Sequence, residues 1–142
     1  VIQKNKDNPV FYCQYAYARA SSIINKAKSY EELKDFENKF ENFEYDTLTS
    51  EEKEIILKIL SWPYLLYHLS ILKQPHKLAN YIEDISSNFH TFWNMGKDDE
   101  TLRMIDIDNI NKTITKLIWI QSLRIVLNKA FEIIGIEAIE NM

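Results

Sequence analysis

The sequence predicts an all-α fold, a bundle of about five to six helices, and three observations carry that reading. Only two Gly and three Pro occur in 142 residues, while Ile, Leu, Lys, Glu and Asn abound. Such a composition favours long helices over strands and turns. Apolar residues recur at spacings of three and four, and helix-start signals recur along the chain. The length suits one domain over 1–142, enough to bury about two-thirds of the surface exposed on unfolding.

The first helix opens at Asn8 and Pro9, a capping side chain followed by proline at the first helical position, and runs to about Lys28. Winding it at about 100° per residue gathers Val10, Cys13, Ala16, Tyr17, Ala20, Ile24 and Ala27 in one core sector. The stretch SYEE at 29–32 reads as a capping box and predicts a polar helix to about Phe43. Leu48, Thr49 and Glu52 repeat the box, and Ile55, Ile56, Ile59 and Leu60 follow at helical spacing. Pro63 after Trp62 predicts a kink or break, with the helix resuming from Tyr64 to about Leu72.

Another helix starts with Pro75 in its first turn and reaches about Asn94. Residues 95–108 carry Gly96 and a density of acids, and read as a connecting loop. The last helix takes Asp108 as its cap and ends at Ile134, with Gly135 placed for a left-handed C-terminal cap. About 40 Å long, it is expected to be the spine of the bundle.

Several functions lack the residues they need. His68, His76 and His90 never fall at the spacing that sets two imidazoles on one metal, and a single cysteine, Cys13, supplies no thiolate cluster. No metal site or catalytic residue is therefore expected. Two glycines cannot build a phosphate cradle, and no nucleophile elbow occurs. The pairs Glu31–Glu32, Glu51–Glu52 and Asp98–Asp99 sit where helix starts favour carboxylates for dipole reasons.

The lone cysteine and the absence of a secretory start make the cytoplasm the expected compartment. No uncharged apolar run reaches the roughly 18 residues a bilayer requires, so no membrane partner is expected. A net charge of −4 argues against a non-specific nucleic-acid coat protein, and no DNA partner is expected. The start at Val1 and the polar opening VIQKNKDN read as those of a fragment of a longer protein, lacking its catalytic part.

The stretch NPVFYCQYAYAR, residues 8–19, carries the sharpest functional signal. Tyr12, Tyr15 and Arg19 fall at i, i+3 and i+7 in a sector beside the core stripe, together with Ser22 and Lys26. Flat rings beside a guanidinium suit unstacked RNA bases and phosphates. They equally suit a neighbouring helix or domain, and spacing alone leaves both readings open.

On these residues the chain resembles the C-terminal, DALR-type anticodon-binding domain of arginyl-tRNA synthetases. NPVFYCQYAYAR is similar to that family's opening stretch, PHKLANYI with SSNFHTFWN to its next marker, and RIVLNKAFEIIGIEAIENM to its closing helix and terminal methionine. The three matches stand in order over nearly the whole chain. Tyr17 replaces the family's usual histidine, Ile139-Glu140-Asn141-Met142 replaces Pro-Glu-Arg-Met, and the loop after Asn94 is longer than usual. A helical anticodon domain of another synthetase, such as the cysteinyl enzyme, stands as an alternative.

The resemblance implies that Tyr12, Tyr15, Arg19, Phe89, Trp93 and Met142 hold the anticodon loop of arginine tRNA isoacceptors. Periodicity alone assigns Phe89 to the core with Leu78, Ile82 and Ile85, and puts Trp93 at the stripe's edge. Lys77 and Asn80 are weaker candidates. The resemblance also implies a catalytic domain in the parent chain, which would use ATP. No cofactor is expected in this fragment, and the family's ATP-binding signatures do not occur in it.

Overall fold

The structure, a computed structural model, describes residues 8–142; the polar opening at 1–7 lies outside the described residues. Five α-helices follow one another: α1 Pro9–Ala27, α2 Ser50–Leu60, α3 Trp62–Leu72, α4 Pro75–Asp98 and α5 Ile110–Ile134. No strand occurs among the described residues.

Helix α5 is the spine. Its buried residues run from Thr113 to Phe131 and point to more than one side, because α1, α2, α4 and the segment after α1 all pack against it. At 25 residues it is about 37 Å long. Gly135 ends it at φ 75°, where a side chain would be strained, and the Ile136 amide bonds back to the Phe131 carbonyl at 2.9 Å.

The start of α1 follows its sequence signals: the Val10 amide donates to Asn8 Oδ1 at 3.0 Å, and Pro9 takes the first position. The core stripe is buried from Cys13 to Ala27, but Val10, in the first turn, is exposed.

The box opening α2 is complete. Thr49 Oγ1 accepts from the Glu52 amide at 3.2 Å, and Glu52 Oε2 accepts from the Thr49 amide at 2.9 Å. The other oxygen of Glu52 accepts from Trp119 Nε1 of α5 at 3.2 Å, so this buried carboxylate caps one helix and ties it to the spine. The expected break falls at Ser61, where α2 and α3 bend by 41°. No single described helix is long and apolar enough to cross a membrane; only that bent pair meets the length and composition together.

The helix expected over 29–43 does not form. Ser29 Oγ donates to the Lys26 carbonyl at 2.7 Å instead of capping a new helix, and short 3-10 turns follow at Phe36–Asn38, Phe40–Asn42 and Tyr45–Thr47. Leu33 and Phe36 are fully buried and the first two turns lie against α5. Wrapping the spine places these two side chains inward, whereas Asp35, Asn38 and Asn42 are poor helix formers that favour turns.

Two boundaries also shift. Helix α4 continues four residues past Asn94, and Gly96 lets the next turn close on it: a Cβ there would meet the Leu102 carbonyl oxygen at 3.2 Å. Helix α5 begins after Asn109, not Asp108, and has no side-chain cap. Asp106 organises that start, its carboxylate accepting from the Asp108 amide and Asn109 Nδ2 while its backbone pairs both ways with Thr113 Oγ1.

Candidate functional site

Helices α1 and α4 lie side by side, and their shared flank carries the sequence-predicted cluster. The Arg19 guanidinium sits between two rings, 4.5 Å from the centroid of Tyr15 on its own helix and 4.8 Å from that of Trp93 on α4. Its Nη1 lies 2.8 Å from His90 Nδ1. Guanidinium nitrogens only donate, so Nδ1 accepts and the proton of the neutral ring rests on Nε2. That nitrogen faces the backbone oxygen of Tyr12 at 3.2 Å and donates to it.

His90 is buried, and burial pulls its pKa below the ordinary value. The bond to the Tyr12 carbonyl opposes that shift and the charge of Arg19 adds to it. Tyr12 rests on the imidazole at 4.5 Å and Tyr15 stacks over it at 5.6 Å. Phe11 lies parallel to Tyr15 at 6.5 Å. The result is a row of aromatic surfaces whose last two, Tyr15 and Trp93, hold a cation between them.

The chain's own tail closes that end. After Gly135 it crosses α1, where Gln14 Nε2 donates to the Glu137 carbonyl at 2.9 Å. Arg124 Nη2 of α5 holds Glu140 Oε1 at 2.7 Å. Tyr15, Arg19 and Trp93 then line one pocket of about 300 Å³ with Glu140 and Met142. A pocket of that size, lined by a stacked cation and aromatic rings, suits a single planar heterocycle.

Four of the six expected residues therefore meet in one pocket: Tyr15, Arg19, Trp93 and Met142. Tyr12 extends the face on the far side of His90. Phe89 does not reach it. Its ring is fully buried and meets Trp119 edge-on at 6.2 Å, so it has no surface to offer a ligand and supports the face from beneath. The periodicity of α4 assigns it to the core, and the core is where it lies. Lys77 and Asn80 are exposed and line neither this pocket nor its neighbour.

Three participants escape the sequence reading. Phe11, at i−4 from Tyr15, was open to detection from helical spacing. His90 reads as a lone histidine on an apolar face, and only the packing of α1 on α4 brings it under Arg19. Lys116 lies buried in the second turn of α5, donating to the carbonyls of Arg103 at 2.6 Å and Thr101 at 3.5 Å. Burial pushes its pKa down to about 8. Lys112 donates to the Thr101 carbonyl at 2.9 Å. These two lysines fasten the loop after α4, which walls a second groove of about 580 Å³ next to the pocket.

The family model described as the DALR anticodon binding domain matches residues 13–142. Similar curated proteins include the arginine–tRNA ligases of Parvibaculum lavamentivorans, 32% identical, and Azorhizobium caulinodans, 34% identical. The matches cover 100% of this chain and 24% and 25% of those proteins. That of Rickettsia africae is 35% identical over 100% of this chain and 25% of its own length. The chain thus spans about a quarter of the length of the curated relatives it matches. A crystal structure of a Campylobacter jejuni protein assigned as an arginyl-tRNA synthetase shares the fold, with a TM-score of 0.75 and 21% identity over 99% of this chain and 28% of that one. With nearly its whole length matched by the family model, the chain belongs to the DALR anticodon binding domain family.

Proposed function

We propose that the α1–α4 face binds the anticodon loop of arginine tRNA and serves a parent enzyme that uses ATP to attach arginine to that tRNA, in the cytoplasm. The observation that carries this reading is the Arg19 guanidinium stacked between Tyr15 and Trp93 beside Met142. An unstacked base entering the pocket meets an aromatic face to stack on, while guanidinium N–H groups stand near its polar edge.

The genetic code gives the reading a rationale. Every arginine codon has G in its middle position, so every arginine tRNA carries C in the middle of its anticodon. One pocket for that base serves all isoacceptors. A wrong base leaves buried polar groups unpaired, and each such loss costs about 1–3 kcal/mol. Binding energy at the anticodon would also orient the acceptor end toward the parent's catalytic domain.

The test is aminoacylation by the parent enzyme carrying Arg19→Ala or Tyr12→Ala. The reading expects kcat/KM for tRNA to drop while the fold, followed by circular dichroism, persists. Unchanged charging of a folded variant would refute it. Docking of a protein helix on the same face predicts that result.

A further inference from the structure

The base pocket continues into the second groove, and the two share Ser22, Ile23 and Trp93. Along the groove each helix supplies a lysine in step with its pocket residue. Lys26 lies two turns beyond Arg19 on α1, and Lys97 lies one turn, about 6 Å, beyond Trp93 on α4. Both are exposed, and among the described residues neither ammonium has an ion-pair or hydrogen-bond partner. Arg103 forms part of the far wall.

Two of the acids nearby are engaged by the loop itself. Glu100 Oε1 holds Arg103 Nη2 at 2.7 Å, and Asp99 Oδ1 accepts from the amide and hydroxyl of Thr101 at 2.9 and 2.7 Å. Asp98 is exposed at the end of α4. The wall itself is a built feature: Gly96 admits the loop backbone against α4, and Lys116 and Lys112 hold its carbonyls from within. A protein with net charge −4 here presents a local groove lined by three cations.

We infer that this groove carries the sugar-phosphate backbone of the nucleotides flanking the pocketed base, with Lys26 and Lys97 as phosphate contacts. The inference rests on the reading that the aromatic pocket takes an RNA base. It adds a second site with a different role: the pocket discriminates between bases, and the groove holds the strand whatever its sequence.

The test is fluorescence anisotropy of the 142-residue chain with two labelled anticodon stem-loops, one with C and one with G in the middle anticodon position, over a series of salt concentrations. Lys26→Gln and Lys97→Gln are each expected to weaken both complexes by about three- to fivefold. Each should also flatten the slope of log Kd against log salt by about 0.7. Tyr15→Ala should weaken binding of the cognate loop without changing that slope. If the lysine variants keep wild-type affinity and slope while Tyr15→Ala weakens binding, the groove assignment is overturned and the pocket reading stands. A loss confined to one loop sequence also overturns it, because it marks a base contact. Absence of saturable binding by the wild-type chain overturns both.

Discussion

Arg19 and His90 face each other at 2.8 Å, Nη1 to Nδ1, and the pairing leaves the imidazole no room for a second proton. A protonated ring would direct an N–H at a guanidinium that can only donate. Burial lowers the folded-state pKa of His90 beneath its ordinary 6.5. The unfolded chain therefore takes up a proton below pH 6.5 that the folded chain refuses, so stability present above that pH is lost as pH falls toward the folded value. Thermal unfolding at pH 7.5, 6.5 and 5.5 should show the wild type losing more stability than His90→Gln. Parallel profiles for the two proteins would show that His90 is not held neutral.

Surface and core aromatics separate cleanly in this site. Tyr15 is 37% exposed and Phe89 is fully buried, although the resemblance groups them. Tyr15→Ala is expected to cost far less folding stability than Phe89→Ala and to weaken RNA binding by about 1–3 kcal/mol. Phe89→Ala should instead cost about 3–5 kcal/mol of folding stability, because it removes a ring packed against Trp119. Denaturant titration and RNA binding of both variants give the comparison. A large affinity loss in a fully stable Phe89→Ala protein would mean that the Phe89 ring reaches the RNA.

Lys116 makes the opposite kind of claim, a cation retained inside the fold. Its pKa falls from 10.5 to about 8 through burial, partly opposed by Glu52, Asp106 and Asp99. Between pH 8 and 10.5 the unfolded chain binds the proton more than the folded chain does, so this lysine becomes less unfavourable to folding as pH rises through that window. Cys13 and Tyr81, whose pKa values burial raises to about 11 and about 12, act in the reverse direction and cancel in a difference with Lys116→Met. The stability of the wild type minus that of Lys116→Met should grow from pH 7 to pH 9.5. Amides of the 99–105 loop should also exchange faster in the variant, since its carbonyl anchor is gone.

The distribution of what the sequence discloses follows from the range of the interactions. Asn8, Thr49, Glu52 and Gly135 act on their own helix ends, and each lies where local capping rules put it. Tyr15 and Arg19 share a helix, so winding alone puts them side by side, while Trp93 and Met142 entered through family resemblance. The segment after α1 carries a capping-box pattern, yet burial of Leu33 and Phe36 against α5 outweighs that local preference. His90 and Lys116 have partners 71 and 13 to 15 residues away, and no local pattern announces either pair.

Glu52 joins both ranges, capping α2 and accepting from Trp119. Glu52→Ala would strand the buried Trp119 N–H and the Thr49 amide together. A loss of about 1–3 kcal/mol in chemical denaturation is expected, with RNA binding of the folded protein unaffected because neither group faces the pocket. Glu52→Gln retains an acceptor oxygen and should recover part of the loss. Equal losses in the two variants would mean that charge, not hydrogen bonding, is what Glu52 supplies.

The last three residues reach the pocket only because the chain turns at Gly135 and is pinned twice, by Gln14 at Glu137 and by Arg124 at Glu140. Gly135→Ala forces a Cβ into the left-handed region and should destabilise the fold by about 1–2 kcal/mol. Removing Met142 is a subtler change. Met142 is 47% exposed, so unfolding should be little affected. The pocket beside Tyr15 and Arg19 would lose its apolar edge, and a base seated there would bury less surface. RNA affinity should fall by about 1 kcal/mol, in keeping with a partly buried apolar side chain. An unchanged Kd after removal of Met142 would place the terminal residue outside the bound complex, leaving the Tyr15–Arg19–Trp93 stack to hold the base alone.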